Sequence, residues 1–334
     1  MGVLIRAPWR DAGESQANSH SEATSATRSV VPLAGAATAG AAVVGAKAAN
    51  LGQAMAAGLP VLPGFVLTTG AVADLEAGPS TASDQVLAAL LPAFSELAGN
   101  GGRPLVVRSS SPAEDGSESS MAGWFTSVVD VRGWDSFLDA VRTVARSARR
   151  AGRSAPAPMA VLVQVHLEPR LAGVLFGLDP VTGRLDRRVV AAVEGGPQRL
   201  VSGEVDGTRY LLGPRGRMVD VDGERLPLRP RDRRALARLA RRSALTFGAP
   251  QDIEWGLADD GRLWLLQARP ITAAAPAGLR GPVFGPGPVA ETFPDPLQPL
   301  EEELWVPPLR QAMAETLQLT GAAARSAVAA SPVV

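Results

Sequence analysis

Residues 251–270 read QDIEWGLADDGRLWLLQARP, and this stretch decides the fold because it predicts a β-hairpin. Asp260-Gly261 is a strong signal for a two-residue loop between two antiparallel strands. With that loop Asp259 pairs with Arg262, and the register of every other pair follows by counting outwards from the turn.

The predicted register gathers four polar side chains on one face of the hairpin. Glu254 lies opposite Gln267, and Asp252 lies opposite Arg269. The alternation of side chains along a strand then places all four on the same side. The other face is expected to pack into the core, and it carries Ile253, Trp255 and Leu257 against Ala268, Leu266 and Trp264.

This polar face has two interpretations. A carboxylate beside an amide oxygen, with an arginine one pair further on, combines hard oxygen ligands with a fork-shaped donor, which suits magnesium bound to a polyphosphate. The alternative is an ordinary solvated face with an Asp–Arg ion pair, which contributes little to stability. Because such pairs are common on sheets, the pattern by itself favours the solvated face.

The composition excludes several classes of protein. The 334 residues are 46% hydrophobic, which is enough for a sizeable core in one large domain or two ordinary ones. Lys+Arg and Asp+Glu both total 33, so no net charge attracts nucleic acid or an anionic membrane. The absence of cysteine excludes disulfides, thiol nucleophiles and cysteine-ligated metals, and it favours a reducing cytoplasm. With only two histidines, a His-rich metal site is excluded as well.

The chain divides into three parts by composition. Residues 1–29 are polar and aperiodic, as in a disordered leader. Residues 30–275 hold mostly helix patterns first and mixed strand patterns later, so an α/β or α+β domain is expected. Residues 276–334 are predicted to form a Pro/Gly-rich linker and the start of an incomplete following domain. The uncharged stretch 30–46 has too few large apolar side chains to span a membrane, so we expect a soluble protein.

The single lysine of the chain, Lys47, is a candidate phosphate ligand. A compact ammonium is not interchangeable with a guanidinium where a phosphate must be met in a tight space. The sequence GAAVVGAKA (residues 40–48) fails the phosphate-loop pattern, because Ala46 separates Gly45 from Lys47 and no Ser or Thr follows. What remains is a lysine at the start of a helix, where the dipole favours an anion. Chance survival of one lysine is the alternative.

Arg108 is the second candidate phosphate ligand. It leaves a predicted buried strand in VVRSSSPAED, residues 106–115, and enters a loop rich in small residues. Such a loop can fold over a phosphate chain, or it can be a surface loop capped by its own serines.

Taken in order, four segments resemble the N-terminal nucleotide-binding domain of the pyruvate phosphate dikinase and phosphoenolpyruvate synthase family, an ATP-grasp fold that also occurs in rifampin phosphotransferases. The resemblance covers residues 30–275 and implies an α/β fold whose two subdomains clamp the nucleotide. The segments are GAKAANLGQAMAAGLPVLPGFVLTT from residue 45, VVRSSSPAED followed by SMAG, VLVQVHLEPRLAGVLFGLDPVTG from residue 161, and QDIEWGL with LWLLQARPIT.

The resemblance implies ATP and Mg²⁺ as cofactors and assigns roles to individual residues. Lys47 and Arg108 contact the ATP phosphates and, with Arg269, form the catalytic set. Magnesium is held by Glu254 and Gln267. The remaining nucleotide-binding positions are Gly123 in the glycine loop, Gln164 at the adenine slot, and Asp252 with Arg269 at further active-site positions.

The chain departs from the family pattern near these residues. Ala46 replaces the second glycine of Gly-Gly-Lys, which is expected to hinder close approach of the backbone to a phosphate. Trp124 stands where a glutamine is common. Val165-His166 stands where a basic residue and a methionine are usual, and we interpret His166 as a packed strand residue.

The expected function is that of an ATP-dependent phosphotransferase of this family. Members pass a phosphoryl group to a histidine on a swivelling domain, but neither His20 nor His166 has the sequence context of that histidine. The acceptor histidine is therefore expected on a separate or missing domain that acts in trans. The alternatives are a non-catalytic or degenerate ATP-binding module, the ATP-binding part of a rifampin-phosphotransferase-like system, and an α/β scaffold that binds no nucleotide.

Overall fold

The computed structural model of the protein describes residues 29–99, 102–112, 126–147, 158–197, 200, 205 and 207–271, and six helical positions between 307 and 316. Most of the expected leader, including His20, and the glycine loop with Gly123 and Trp124 lie outside the described residues. The chain divides into two compact units, Met1–Leu279 and Arg280–Val334. In the second unit, the side chain of Gln311 donates to Glu315 Oε1 at 3.0 Å along one helical turn.

Helices and strands alternate irregularly along the described part of the first unit. The helices are α1 (Ala36–Ala39), α2 (Ala41–Ala56), α3 (Thr69–Glu76), α4 (Thr81–Ala98), α5 (Trp134–Ser147) and α6 (Pro230–Phe247). The strands are β1 (Val30–Pro32), β2 (Gly64–Leu67), β3 (Leu105–Ser110), β4 (Ser127–Val131), β5 (Ala160–Val165), β6 (Leu171–Phe176), β7 (Arg188–Glu194), β8 (Thr208–Leu212), β9 (Met218–Asp222), β10 (Gln251–Leu257) and β11 (Leu263–Pro270).

Five strands form the first sheet in the order β1–β2–β5–β3–β4, and every neighbouring pair is antiparallel. Helices α3, α4 and α5 bury an apolar cluster against one face of this sheet. Within the cluster the Phe94 ring contacts Trp134 and Phe137, at centroid distances of 5.3 and 4.8 Å. Ser80 caps α4, because its side chain accepts a hydrogen bond from the amide of Ser83.

Six strands form the second sheet in the order β11–β10–β6–β7–β8–β9, again antiparallel throughout. Helix α6 packs on this sheet through buried apolar residues that include Leu236 and Leu239. The first turn of α6 is fixed by the buried carboxylate of Asp232, which accepts hydrogen bonds from Arg170 Nη2 at 2.8 Å and from the amide of Arg229 at 3.1 Å.

One apolar cluster joins the two sheets with α2 and α6. Leu162 comes from the first sheet, Leu51 from α2, and the fully buried Trp255 from the second sheet. The α/β class expected from the sequence is therefore confirmed, in an antiparallel α+β form with two sheets that carry their own helices. Among the described residues, no helix has both the length and the apolar composition needed to cross a membrane.

Helix α2 is interrupted at Gly45, whose φ of 76° and ψ of 160° are not helical. The helix restarts at Ala46, so Lys47 lies in its first turn. A Cβ atom on Gly45 would lie 2.0 Å from the carbonyl oxygen of Ser110, at the end of β3. Glycine is therefore required at this position both by the backbone conformation and by the close approach of β3.

The variants Gly45→Ala and Gly40→Ala separate these two requirements. Gly40 has nearly the same conformation, with φ 81° and ψ 154°, but nothing lies within 4 Å of its added Cβ. We expect Gly40→Ala to lower the free energy of unfolding by about 1–3 kcal/mol, which is the cost of the backbone conformation. Gly45→Ala should cost about 1–3 kcal/mol more because of overpacking against Ser110. Urea unfolding followed by circular dichroism measures both, and equal losses would contradict the close contact.

Candidate active site

The hairpin β10–β11 carries the polar face that the sequence predicts. Glu254 is paired with Gln267 and Asp252 with Arg269, as expected from counting outwards from the turn. Arg269 Nε donates to Asp252 Oδ2 at 2.8 Å. The prediction that these four residues share one face of the hairpin is confirmed.

The loop that led to this prediction is one residue longer than expected. The amide of Ala258 donates to the carbonyl of Arg262, so the loop has three residues and Asp259 does not pair with Arg262. Gly261 ends the loop with a φ of 83°, which is typical of three-residue hairpin loops. A β-bulge between Glu254 and Trp255 then shifts the register back by one residue.

The longer loop changes which residues face the core between the turn and the bulge. Trp255 lies opposite Leu265, and Leu257 lies opposite Leu263. The prediction that Leu266 and Trp264 pack into the core was therefore wrong. A three-residue loop moves β11 by one position, and each side chain between the loop and the bulge changes face. Leu266 has no paired residue on β10 because it is the extra residue of the bulge.

Arg108 connects the first sheet to this hairpin. Its Nη1 atom donates to the carbonyl oxygen of Leu266 at 2.8 Å. Its Nη2 atom donates to Gln267 Oε1 at 3.1 Å and lies 3.4 Å from Glu254 Oε2. The side chains of Arg108 and Glu254 are 14% and 21% exposed, so this contact is largely shielded from water. The bulge thus turns a backbone carbonyl towards Arg108 and completes its set of acceptors.

Lys47 is held against the same strand that carries Arg108. Its ammonium donates to the carbonyl oxygen of Ser109 at 3.1 Å, and the residue is only 5% exposed. The helix amides beside it also have partners, since Ala46 donates to Ser111 and Ala48 to the hydroxyl of Ser110. The buried serines therefore cap the helix, whereas the sequence suggested either a surface loop or helix amides left for an anion.

Gly45 makes the close approach to β3, and Ala46 lies in the restarted helix. The expectation that Ala46 hinders close approach of the backbone to a phosphate stays a prediction. Gly45 was not singled out by the sequence analysis, although its place two residues before the lysine was visible.

Gln164 lies on the same sheet face as Arg108. It is paired with Val106, two residues before Arg108 on β3, and alternation puts both side chains on one side. The residue is 2% exposed, and its Nε2 atom donates to the carbonyl oxygen of Leu62 at 2.9 Å. The side chain thus supports the segment that enters β2.

Burial raises the pKa of the Asp252 carboxyl, and the nearby charge of Glu254 acts in the same direction. The guanidinium of Arg269 lowers this pKa and only partly offsets the effect of burial. The polar face thus carries two carboxylates, with Arg269 beside Asp252 and Arg108 of the first sheet beside Glu254.

Asn50 is a contact residue that the sequence analysis did not identify. It lies one helical turn after Lys47, and its Nδ2 atom donates to the carbonyl oxygen of Ala268 at 3.3 Å. This bond links α2 to β11 between Gln267 and Arg269. The i, i+3 spacing from Lys47 was the available signal, because such residues share a helix face.

Comparison with known proteins gives a match to the family described as pyruvate phosphate dikinase, AMP/ATP-binding domain, over residues 79–222 and 214–278. Prodigiosin synthesizing transferase PigC of Serratia marcescens is 33% identical, over 70% of this chain and 32% of the relative. A probable phosphoenolpyruvate synthase of Methanothermobacter thermautotrophicus is 27% identical, over 70% of this chain and 45% of the relative. A rifampicin phosphotransferase of a Streptomyces species is 32% identical, over 76% of this chain and 37% of the relative.

The chain spans less than half the length of these curated relatives. Two solved structures are also similar at lower identity. D-cycloserine synthetase DcsG has 17% identity and a TM-score of 0.34, over 67% of this chain and 62% of that one. The ATP-grasp ligase PsnB with a minimal precursor has 15% identity and a TM-score of 0.32, over 77% of this chain and 61% of that one.

The variant Arg108→Ala tests whether the guanidinium holds the two sheets together. We expect the free energy of unfolding to fall by about 1.5–3 kcal/mol, because three acceptors lose a charged donor in a shielded place. Arg142→Ala is the matched control, since Arg142 forms an exposed pair with Asp139. The control should change the value by no more than about 0.5 kcal/mol. Equal effects in urea unfolding would show that the Arg108 contacts contribute no more than a surface ion pair.

Proposed function

The chain belongs to the pyruvate phosphate dikinase AMP/ATP-binding domain family, and from that premise we propose that it binds ATP with magnesium at the cluster of Arg108, Glu254 and Gln267. The proposal includes transfer of a phosphoryl group from this ATP to an acceptor. Its relatives are named as transferases and synthases, which supports the assignment to this reaction class.

One observation carries the proposal for the metal. Glu254 Oε2 and Gln267 Oε1 both lie within hydrogen-bonding distance of a single atom, Arg108 Nη2, at 3.4 and 3.1 Å. The two oxygens therefore converge on one point that is already suited to positive charge. A carboxylate oxygen and an amide oxygen are also ligands that magnesium prefers.

The donor set fits magnesium better than a transition metal. Both converging atoms are oxygens, and the chain offers no cysteine. Asp252 adds a second carboxylate one pair along the same face, and burial raises its pKa. When bound, magnesium supplies charge neutralisation at the phosphate oxygens.

Arg108 changes partners in this proposal. Glu254 and Gln267 would hold the cation, and Arg108 Nη2 would then give up these two acceptors. The guanidinium would bind phosphate oxygens instead, which match its fork geometry. The contact from Nη1 to the carbonyl of Leu266 would keep the arginine at the cluster.

Lys47 and Arg269 supply the other positive charges around the phosphates. The backbone oxygen of Ser109 holds the Lys47 ammonium next to the strand residue that follows Arg108. Arg269 is oriented by the carboxylate of Asp252. Catalysis in this arrangement comes mainly from positioning the phosphate chain and neutralising its charge during transfer.

Gln164 is proposed to shape the adenine slot indirectly. Its amide holds the carbonyl of Leu62, and it lies opposite Gly64 on β2. Its side chain shares a face of the first sheet with Arg108 and supports the segment that enters β2. Gly123 is proposed as a glycine-loop residue over the phosphates, by family resemblance.

The acceptor is proposed to be a histidine on a swivelling domain that acts in trans, within a reducing cytoplasm. Neither His20 nor His166 has the sequence context of such an acceptor. Rifampicin phosphotransferase and phosphoenolpyruvate synthase are both among the relatives, so the final acceptor is a small molecule reached through that domain.

Calorimetric titration with ATP, with and without magnesium, tests the nucleotide site. Lys47→Ala should weaken ATP binding at least about tenfold under both conditions, because it removes a phosphate contact. Glu254→Gln should weaken binding about tenfold in magnesium and leave binding in EDTA nearly unchanged. Glu194→Gln is the matched carboxylate control, since Glu194 is exposed at the end of β7.

The outcomes of this titration distinguish the proposed ATP site from its alternatives. Saturable binding that falls in Lys47→Ala and Glu254→Gln, but not in Glu194→Gln, supports the ATP site. A folded wild-type chain that binds no ATP contradicts the proposed function. Binding that is insensitive to Glu254→Gln in magnesium contradicts the assignment of the metal ligands alone.

A further inference from the structure

We propose that Asp130, His166 and Glu168 form a second divalent cation site that takes a first-row transition ion such as Zn²⁺. None of these residues belongs to the Glu254–Gln267 pair, and the proposal does not rest on the proposed function. Asp130 lies near the end of β4, at the edge of the first sheet. His166 and Glu168 lie in the segment that connects β5 to β6, and therefore the first sheet to the second.

The three side chains are arranged closely enough to share one ion. One ligand atom from each lies within 4.8 Å of the other two. A point therefore exists that is at most about 2.8 Å from all three atoms. Zinc binds imidazole nitrogen and carboxylate oxygen at about 2.0–2.2 Å, so small side-chain rotations complete the site.

The ligand types select a transition ion over magnesium. One imidazole nitrogen with two carboxylate oxygens is a set that suits zinc and its neighbours in the first transition row. Magnesium prefers oxygen ligands alone. The two cation sites of this chain therefore differ in chemistry, one offering only oxygens and the other a nitrogen with oxygens.

His166 provides a second and independent observation. Its Nδ1 atom is buried and has no hydrogen-bond partner within the part of the chain that the structure describes. A buried polar atom without a partner lowers the stability of the folded protein. A metal ion is one partner that an imidazole nitrogen can bind. The backbone is fixed there, because the His166 amide donates to the carbonyl of Pro104 at 2.9 Å. The unsatisfied ring is therefore held in place beside two carboxylates.

Asp130 has an uncommon backbone conformation and an ion pair with a neighbouring residue. Its φ of 53° is the one positive value among the described non-glycine residues, and aspartate tolerates this conformation better than most residues. Arg132 Nε donates to Asp130 Oδ1 at 2.9 Å, so the metal would use the other carboxylate oxygen or compete with Arg132. That ion pair is exposed, with side chains 52% and 55% accessible, and it opposes the ion only weakly.

An ion at this site would brace the connection between the two sheets. Arg170, two residues after Glu168, donates its amide to the carbonyl of Leu257 at the end of β10. The connecting segment is thus attached to the second sheet at one end. The proposed ion attaches it to the edge of the first sheet at the other end, through Asp130.

The test is a titration of the full-length, untagged chain with Zn²⁺ after removal of metal by EDTA. Calorimetry gives the stoichiometry, and visible absorption of Co²⁺ reports a nitrogen-containing ligand set. Millimolar Mg²⁺ is present throughout, so the oxygen site does not contribute. We expect one ion per chain in the wild type and at least about tenfold weaker binding in His166→Ala.

The chain offers a matched control, because His20 is its other histidine. His20→Ala should bind as the wild type does, while Asp130→Asn and Glu168→Gln should each weaken binding about tenfold. Circular dichroism confirms that each variant is folded. Binding that persists in His166→Ala, binding that is lost in His20→Ala, or a folded wild type that binds no ion overturns the proposal.

Discussion

A shielded guanidinium between two sheets is the constraint on which the rest of the site depends. Arg108 is mostly removed from water, and a charge in that position is tolerated only when its donors have acceptors. Its acceptors among the described residues come from one hairpin of the second sheet, at Leu266, Gln267 and Glu254. The position of β3 relative to the hairpin is therefore tied to a single side chain.

The strand that carries Arg108 also fixes the lysine helix. Arg108 points to the hairpin, the carbonyl of Ser109 accepts from Lys47, and the hydroxyl of Ser110 accepts from the amide of Ala48. Three consecutive residues thus arrange both proposed phosphate ligands. Gly45 permits this arrangement, because a side chain there would occupy the space of the Ser110 carbonyl. Ser110 caps the helix through its hydroxyl, while Ser109 and Ser111 contribute backbone carbonyls to Lys47 and to the amide of Ala46.

The sequence predicted the class of fold and the pairs Glu254–Gln267 and Asp252–Arg269, but not the longer loop and the bulge that lead to them. Counting outwards from a two-residue loop correctly predicted Glu254 opposite Gln267. The observed loop is one residue longer, but the bulge shifts the register back by one residue, so the two differences cancel at this pair. The bulge itself has no local sequence signal, since Leu266 is an ordinary strand residue. Its stabilising partner, Arg108, lies 158 positions away in the chain. The cap on the helix of Lys47 was also missed, because its acceptors, Ser110 and Ser111, are distant from that helix in the sequence.

The convergence of two oxygens on one nitrogen balances the charge of the cluster. Glu254 and Gln267 face each other across a hairpin, and without positive charge the Glu254 carboxylate would be partly buried and unpaired, which is costly. Arg108 Nη2 supplies that charge. Because Nη1 of the same guanidinium binds the carbonyl of Leu266, one side chain both neutralises the hairpin and connects it to the first sheet.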